Sequence, residues 1–314
     1  MIKPAVPYIH LEAGIFMFVS FRLKRTYLFA LCAAAAIAAV VWTFGHTSKT
    51  AAVSAKNTQD SVRLPIIMYH SILKDPKYHG KYVVSPQTFE SDICFLQKNG
   101  YETVGVSDVV DYVKYLKPLP AKPVMLTFDD GYYNNYLYAY PLAKKYNVKI
   151  VIAPVGYYTD VYAEKDADHP NYSYLTWGEM AEMMSSGLVE FENHSYNLHY
   201  SNKKGSRLGA KRLPGESRYL YDSMLKNDLG KMQERMKEKT GCVPLAFVYP
   251  FGAFSNESVH VLRQMGFQAT FLCTEKINLI THSKDCLYSL GRFLRPSGPS
   301  STSYFKKVGI CAKP

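Results

Sequence analysis

The sequence predicts an α/β domain whose seven or eight strand–helix units close into a distorted (β/α) barrel, preceded by one N-terminal transmembrane helix. Three observations predict it. From about residue 63 onward, short apolar runs alternate with helix-like stretches, the pattern of βα units around a parallel sheet. Polar clusters rich in Asp and His follow several of those runs directly. Near the start, Tyr27 to Phe44 form eighteen residues without a charge, directly behind Arg22, Lys24 and Arg25. A doubly wound open sheet is the alternative architecture for the domain.

The apolar stretch is just long enough to cross a bilayer as a helix, and its basic flank places the N-terminus in the cytoplasm by the positive-inside bias. The expected layout is a cytoplasmic segment over 1–26, a signal-anchor over 27–44, a small polar linker over 45–62 and one catalytic domain over 63–314. This makes the protein a single-pass membrane protein with its domain outside the cytoplasm. A cleavable signal is the competing reading, with Val53-Ser54-Ala55 before Lys56 as the cleavage position, and it yields a secreted domain. Translation beginning at Met17 is a further open alternative.

Hydrophobic residues make up 47% of the 314, and 26 tyrosines exceed 16 phenylalanines, which describes a packed domain with many amphipathic rings. Of the net charge of +11, residues 1–56 carry six Lys/Arg and one Glu, leaving +6 for the rest. That balance suits an anionic envelope polymer. No nucleic-acid module accompanies it, so nucleic acid is not an expected partner. Cys32 lies in the apolar stretch; Cys94, Cys242, Cys273, Cys286 and Cys311 have wide spacings unlike a zinc ribbon or a disulfide framework, with Cys273 to Cys286 the one pairing suggested. A monomer is expected.

The candidate strands are 64–69, 101–104, 123–128, 148–154, 188–192, 245–249, 268–273 and 287–293. Ser85 before Pro86 opens a helix with Phe89, Ile93 and Leu96 on one face, stopped at Gly100. Thr176 and Glu179 have capping-box spacing and open a helix ending at Gly187. The longest helix spans 216–239 and closes at Gly241. Two stretches interrupt the alternation: the Tyr- and Asp-rich 156–175, and 200–217 with Lys203, Lys204, Arg207, Lys211 and Arg212. Each is either one wall of a substrate groove or a solvated loop.

Three clusters carry the chemistry. Thr127-Phe128-Asp129-Asp130-Gly131 ends an apolar run. Adjacent strand residues point to opposite faces, so the two carboxylates converge only if the strand stops there, as Gly131 suggests. His194-Ser195-Tyr196-Asn197-Leu198-His199 follows the strand at 188–192; its five-residue spacing brings both imidazoles to one ion only from a loop or a first turn. Histidine with aspartate forms a mixed nitrogen and oxygen ligand set for zinc and similar ions. Tyr249-Pro250-Phe251-Gly252 follows a third strand. Alone, each cluster is as readily a turn or a surface loop. Together, at strand ends that a barrel gathers on one rim, they define a site.

TFDDG, HSYNLH and YPFG, in this order and spacing, resemble the polysaccharide deacetylase family, whose shared unit is the NodB homology domain (carbohydrate esterase family 4). The resemblance covers approximately Pro65 to Arg295, and Pro65-Ile66-Ile67-Met68-Tyr69-His70-Ser71 is similar to the opening strand of branches acting on N-acetylglucosamine polymers. It implies a distorted barrel that removes N-acetyl groups from a cell-wall or extracellular polysaccharide with the help of a divalent ion, usually zinc, with cobalt, nickel or manganese as alternatives. Carried onto this chain, Asp130, His194 and His199 become the metal ligands and Asp129 the general base. Tyr249, Pro250, Phe251 and Gly252 would shape the substrate pocket, with a backbone N–H near Tyr249 or Phe251 facing the oxyanion.

Two departures stand out. Many members carry an Arg where this chain has Val248, and a late histidine where it reads Ser289-Leu290-Gly291-Arg292-Phe293-Leu294. His70 is the expected general acid in place of the latter. Arg292 is assigned to the substrate pocket, supplying positive charge near the metal in place of the missing Arg, with a structural ion pair as the alternative. Trp177 and the tyrosines of 156–174 are further stacking candidates. A carbohydrate-binding pseudoenzyme and a deacylase or esterase of small molecules are the competing functions.

Overall fold

The computed structural model describes residues 61–200 and 207–310. The segments expected at 1–26 and 27–44, nearly all of the linker, the Val53-Ser54-Ala55 position, Cys32, Lys203, Lys204 and Cys311 lie outside the described residues. Among the described residues no helix is long and apolar enough to cross a membrane.

The strands are β1 (Val62–Leu64), β2 (Ile66–Tyr69), β3 (Ser71–Ile72), β4 (Val83–Val84), β5 (Glu102–Thr103), β6 (Pro123–Asp130), β7 (Ile150–Pro154), β8 (Val189–Phe191), β9 (Ala246–Val248), β10 (Ala269–Phe271), β11 (Asn278–Ile280) and β12 (Phe293–Leu294). A parallel path runs β12-β2-β6-β7-β8. It continues through a parallel bridge, Asn193 to Phe247, into the parallel pair β9-β10, and a second bridge, Phe271 to Leu290, returns the chain to β12. The ring therefore closes, and a barrel replaces the open-sheet alternative. Two of its seams rest on single-residue bridges, which is why the barrel is distorted.

Strand alternation sorts the core into an inside and an outside. Ile66, Met125, Val151, Ala246, Val248, Ala269 and Phe271 share one buried cluster within the ring. Their neighbours Ile67, Tyr69, Leu126, Phe128 and Ile152 pack outward against residues of the helices Pro86–Lys98, Trp177–Ser185 and Ser301–Val308. The antiparallel pair β1-β11 adds Leu64 and Ile280 to the inner cluster at the end where the chain enters β2.

The helix signals hold at residue level. Ser85 accepts the Thr88 N–H at 3.0 Å, and Phe89, Ile93 and Leu96 are buried. Thr176 and Glu179 form a reciprocal capping box. The long helix spans Arg218–Thr240 and ends on Gly241 at φ 75°, a left-handed position that glycine takes without a Cβ clash.

Three expectations need correction. The run at 64–69 is two strands, because Pro65 has no N–H to continue a ladder. The run at 287–293 is not one strand: Lys284–Leu287 is a 3-10 turn and the regular pairing begins at Phe293. Gly156–Lys165 is a helix rather than part of a loop.

Candidate active site

His70 follows β2, Asp129 and Asp130 end β6, His194 lies just beyond β8, and Phe251 lies just beyond β9. All five stand at the C-terminal rim and line one cavity of about 590 Å³, within the size range of small-molecule sites. Lys81, Tyr82, Tyr132, Cys273 and Glu275 contribute to the same wall.

The adjacent carboxylates converge because the strand conformation stops at the second of them. Asp130 has φ 70° and Gly131 φ 73°, so the chain turns sharply while Asp129 still points into the barrel mouth. A Cβ on Gly131 would lie 2.8 Å from the Pro154 backbone, which leaves no room for a side chain there.

Asp129 is almost fully buried, and Arg292 grips it with a planar fork. Arg292 Nη1 donates to Oδ1 at 2.6 Å and Nη2 to Oδ2 at 2.8 Å, while its Nε donates to the Leu272 carbonyl at 3.1 Å. Burial alone would raise the Asp129 carboxyl, but the Arg292 charge outweighs it and holds the group well below the usual carboxylate range. Phe293 pairs with Ile67, so Arg292 sits level with Ile66, below the rim, and its long side chain runs up inside the barrel. Arg292 is completely buried and does not line the cavity. Its expected place among substrate-binding residues is therefore corrected: it lies inside the barrel, paired with Asp129.

Asp130, His194 and His199 each present one donor atom, all within 4.8 Å of one another. Asp130 Oδ1 lies 3.1 Å from His199 Nε2 and 3.6 Å from His194 Nε2, yet it is buried and forms no well-directed hydrogen bond. An orphaned carboxylate oxygen facing two ring nitrogens fits a cation site better than a hydrogen-bonded cluster. His194 is set up for it: its Nδ1 lies 2.7 Å from the Val248 carbonyl, so Nδ1 carries the proton and Nε2 keeps its lone pair. Burial pushes the His194 imidazolium down to about 4, so the ring is neutral near pH 7.

His70 stands across from this set, its Nε2 4.0 Å from Asp129 Oδ2 and its ring 4.8 Å from Tyr82. Its buried Nδ1 has no hydrogen-bond partner. At 4.0 Å the Asp129 contact is too long for a hydrogen bond.

The third motif divides. Phe251 is 43% exposed and its ring lies 4.5 Å from His199. Tyr249 is fully buried, its hydroxyl 2.5 Å from Ser258 Oγ and its N–H committed to the Phe271 carbonyl at 3.1 Å. Tyr249 is thus a core residue by its side chain and is also removed as an oxyanion donor. Pro250 is buried, and Gly252 packs so closely that a Cβ would lie 2.9 Å from the Cys273 backbone nitrogen. Neither lines the cavity; they shape the turn that presents Phe251.

The proposed walls stand back from the cavity. Trp177 donates its Nε1 to Asp160 at 2.8 Å and is structural. Arg207 and Arg212 pair with Glu216 and Glu257 at 2.5 and 2.8 Å. From 156–174, Tyr174 stacks on Tyr132 at 4.9 Å and Tyr158 at 4.7 Å, and Tyr158 reaches within 6.4 Å of His199. Cys273 and Cys286 are both free thiols, which corrects the suggested bridge.

Sequence reasoning missed Tyr132 and Tyr82. Burial first, then the neighbouring Asp130, raise the Tyr132 phenol and keep it protonated, a donor beside the metal-type ligands. Its position immediately after Asp-Asp-Gly was the available signal.

This barrel, with paired aspartates and two histidines on its rim, goes with a match to the polysaccharide deacetylase family, whose model covers residues 116–270 of the chain. The poly-beta-1,6-N-acetyl-D-glucosamine N-deacetylase of Escherichia coli K12 is 28% identical over 258 residues, covering 77% of this chain and 38% of that protein. This chain therefore spans well under half of that relative's length. The enzyme of the same name from Staphylococcus epidermidis is 26% identical over 68% of each chain. Among solved structures, a de-N-acetylase from Aggregatibacter actinomycetemcomitans superposes with a TM-score of 0.68 at 29% identity, covering 79% of this chain and 100% of that one. IcaB from Ammonifex degensii shares the fold with a TM-score of 0.65 over 80% of this chain and 97% of that one, at 24% identity. His70 and Arg292 both fall outside the matched stretch 116–270 and are joined to it only by the fold.

Proposed function

We propose that this chain hydrolyses N-acetyl groups on the sugars of a cell-wall or extracellular polysaccharide, of peptidoglycan or poly-N-acetylglucosamine type, releasing acetate and leaving free amines. The observation that carries the proposal is the pairing of an Arg-clamped free carboxylate, Asp129, with a separate Asp130, His194 and His199 set in one cavity. The names of the Escherichia coli and Staphylococcus epidermidis relatives support a poly-N-acetylglucosamine substrate.

Asp130, His194 and His199 would hold the divalent ion, zinc in our reading, with cobalt, nickel or manganese as the alternatives. Such an ion, when bound, polarises an amide carbonyl and acidifies water. A carboxylate that ligates cannot also take a proton, which is why Asp129 is needed beside Asp130. Arg292 fixes the direction of Asp129 and lowers its basicity, so Asp129 serves as an oriented acceptor that must hand the proton on. His70, 4.0 Å away on the same rim, is the group we assign to protonating the leaving amine. With the Tyr249 N–H committed elsewhere, we assign the oxyanion contact to the Phe251 N–H.

We also read the domain as lying outside the membrane, tethered by the apolar stretch at 27–44, and acting as a monomer on its polymer. Protease accessibility of the domain in intact cells tests that placement.

The purified chain, incubated with N-acetylated oligosaccharides and each divalent metal, is expected to release acetate, and Asp129→Asn is expected to abolish it. Binding to the glycans with no acetate from any of them would replace this proposal with the pseudoenzyme reading. Acetate from small esters alone would replace it with the small-molecule one.

A further inference from the structure

The two histidines of the metal-type set lie on one loop and are held in different ways. His194 is fixed by the Val248 carbonyl at 2.7 Å. His199 meets Asp130 and the rings of Phe251 and Tyr158, so its position depends on the path of the residues between the two.

That path is held by side chains at every step. The Ser195 N–H donates to Asn193 Oδ1 at 2.8 Å, and the Leu198 N–H donates to Ser195 Oγ at 3.0 Å. Between them, the Tyr196 and Asn197 N–H groups donate to the two oxygens of one carboxylate, Asp228 Oδ1 and Oδ2, each at 2.9 Å. Ser195 is left-handed at φ 77°, a strained position for a residue with a Cβ, so the turn needs such support. Asp228 projects from the long helix, near its middle and 31 residues beyond Asn197. The Tyr196 ring is pinned as well: its hydroxyl donates to Asp160 at 3.0 Å, and Lys231, one turn along the same helix, places its ammonium 3.7 Å from the ring centroid.

We infer that Asp228 is a positioning residue for metal binding: by gripping the middle of the 194–199 loop it places His199 Nε2 opposite Asp130 and His194. The inference rests on the metal reading of that set. Its physical basis is that two N–H groups converge on a single carboxylate from a rigid helix, so the loop is shaped before any ion arrives. Without Asp228 those donors would turn elsewhere, and the arm that swings is the one carrying His199, since His194 keeps its own anchor. Supports of this kind around metal ligands are worth about 10–100-fold in metal affinity or activity.

The experiment measures zinc affinity of the purified protein by competition with a chromophoric chelator, together with the visible spectrum of the cobalt-loaded protein. Asp228→Ala is expected to weaken zinc binding by about 10–100-fold while all three ligands remain, and to alter the cobalt spectrum. Asp228→Asn keeps one acceptor but turns an amide donor toward an N–H, and is expected to fall between the alanine variant and the wild type. Lys231→Ala, on the same helix with its ammonium over the Tyr196 ring face, leaves both Asp228 hydrogen bonds in place and is expected to change affinity by less than either. Wild-type affinity in folded Asp228→Ala would overturn the inference; if that variant does not fold, wild-type affinity in Asp228→Asn overturns it. A wild-type protein that takes up no divalent ion would overturn the metal reading and this inference with it, whereas uptake with unaffected variants overturns this inference alone.

Discussion

Arg292 and Asp129, 163 residues apart in the chain, share two parallel hydrogen bonds at 2.6 and 2.8 Å, both side chains almost fully buried. A buried pair of this geometry is costly to break, because the partner left behind is an unpaired buried charge. Arg292→Ala is therefore expected to destabilise the fold by about 3–5 kcal/mol, measured by urea denaturation. Arg292→Lys keeps the charge but loses the fork, and kcat is expected to fall about 10–100-fold with a much smaller loss of stability.

Asp129→Asn should leave the three ligand atoms in place and remove the proton acceptor. Acetate release is expected to drop about 10²–10⁴-fold while zinc content stays near that of the wild type, as measured by elemental analysis on the same sample. Loss of zinc in this variant would move Asp129 from acceptor to ligand. Treatment with chelator is expected to abolish wild-type activity, and re-addition of zinc or cobalt to restore it.

His70→Gln keeps the size of the side chain but cannot transfer a proton at neutral pH. Turnover of an N-acetyl sugar is expected to fall about 10²-fold. The corresponding O-acetyl ester, whose leaving group needs less protonation, should suffer less. Equal losses on both substrates would show that His70 acts on an earlier step.

Phe251 presents a half-exposed ring beside His199, where a pyranose face can stack. Phe251→Ala is expected to raise KM several-fold, consistent with roughly 1 kcal/mol of stacking, with kcat changed less. Tyr249→Phe, by contrast, removes only a buried hydroxyl contact to Ser258. It should lower the melting temperature without shifting KM.

Asp160 accepts from Arg235, Trp177 and Tyr196 at 2.6, 2.8 and 3.0 Å. Partial burial works to raise its carboxyl, but the hydrogen bonds from Arg235 and these partners prevail and hold it below its ordinary value of 3.8. A carboxyl lowered by folding adds stability above its unfolded value and loses it as pH falls through the folded one. Asp160→Asn is therefore expected to melt earlier than the wild type at neutral pH, by about 1 kcal/mol after allowance for its exposure. Melting curves across the acid range should show that gap shrink as pH falls below the ordinary value of 3.8, and a constant gap would show that packing, not charge, holds the network.

Legibility in the sequence followed the range of the interaction. The capped helices at Ser85 and Thr176 and the stop at Gly241 were readable because their causes lie within a few residues. The carboxylate pair was readable because Gly131 marks where the strand pattern fails. Arg292 was visible as a nearby positive charge but not as the clamp on Asp129, since that depends on a register between β12 and β2 that no local pattern encodes. Tyr249 was misplaced for a reason the sequence did contain. If Val248 stands where an inward-pointing Arg is usual, strand alternation sends Tyr249 outward, where it packs with Phe247. Asp228 left no trace, because a helical aspartate that grips a loop from below reads as one more solvated charge.

The grip on Asp129 arrives late in the chain. Every ligand-type residue has been synthesised by His199, but the guanidinium that aims the acceptor belongs to the segment that docks β12 against β2. A polypeptide clipped between β10 and residue 292 would retain the ligand residues and the Val248 and Asp228 contacts but lack the guanidinium that pairs with Asp129. Docking of β12 against β2 is thus the last long-range contact that the carboxylate at the barrel mouth requires.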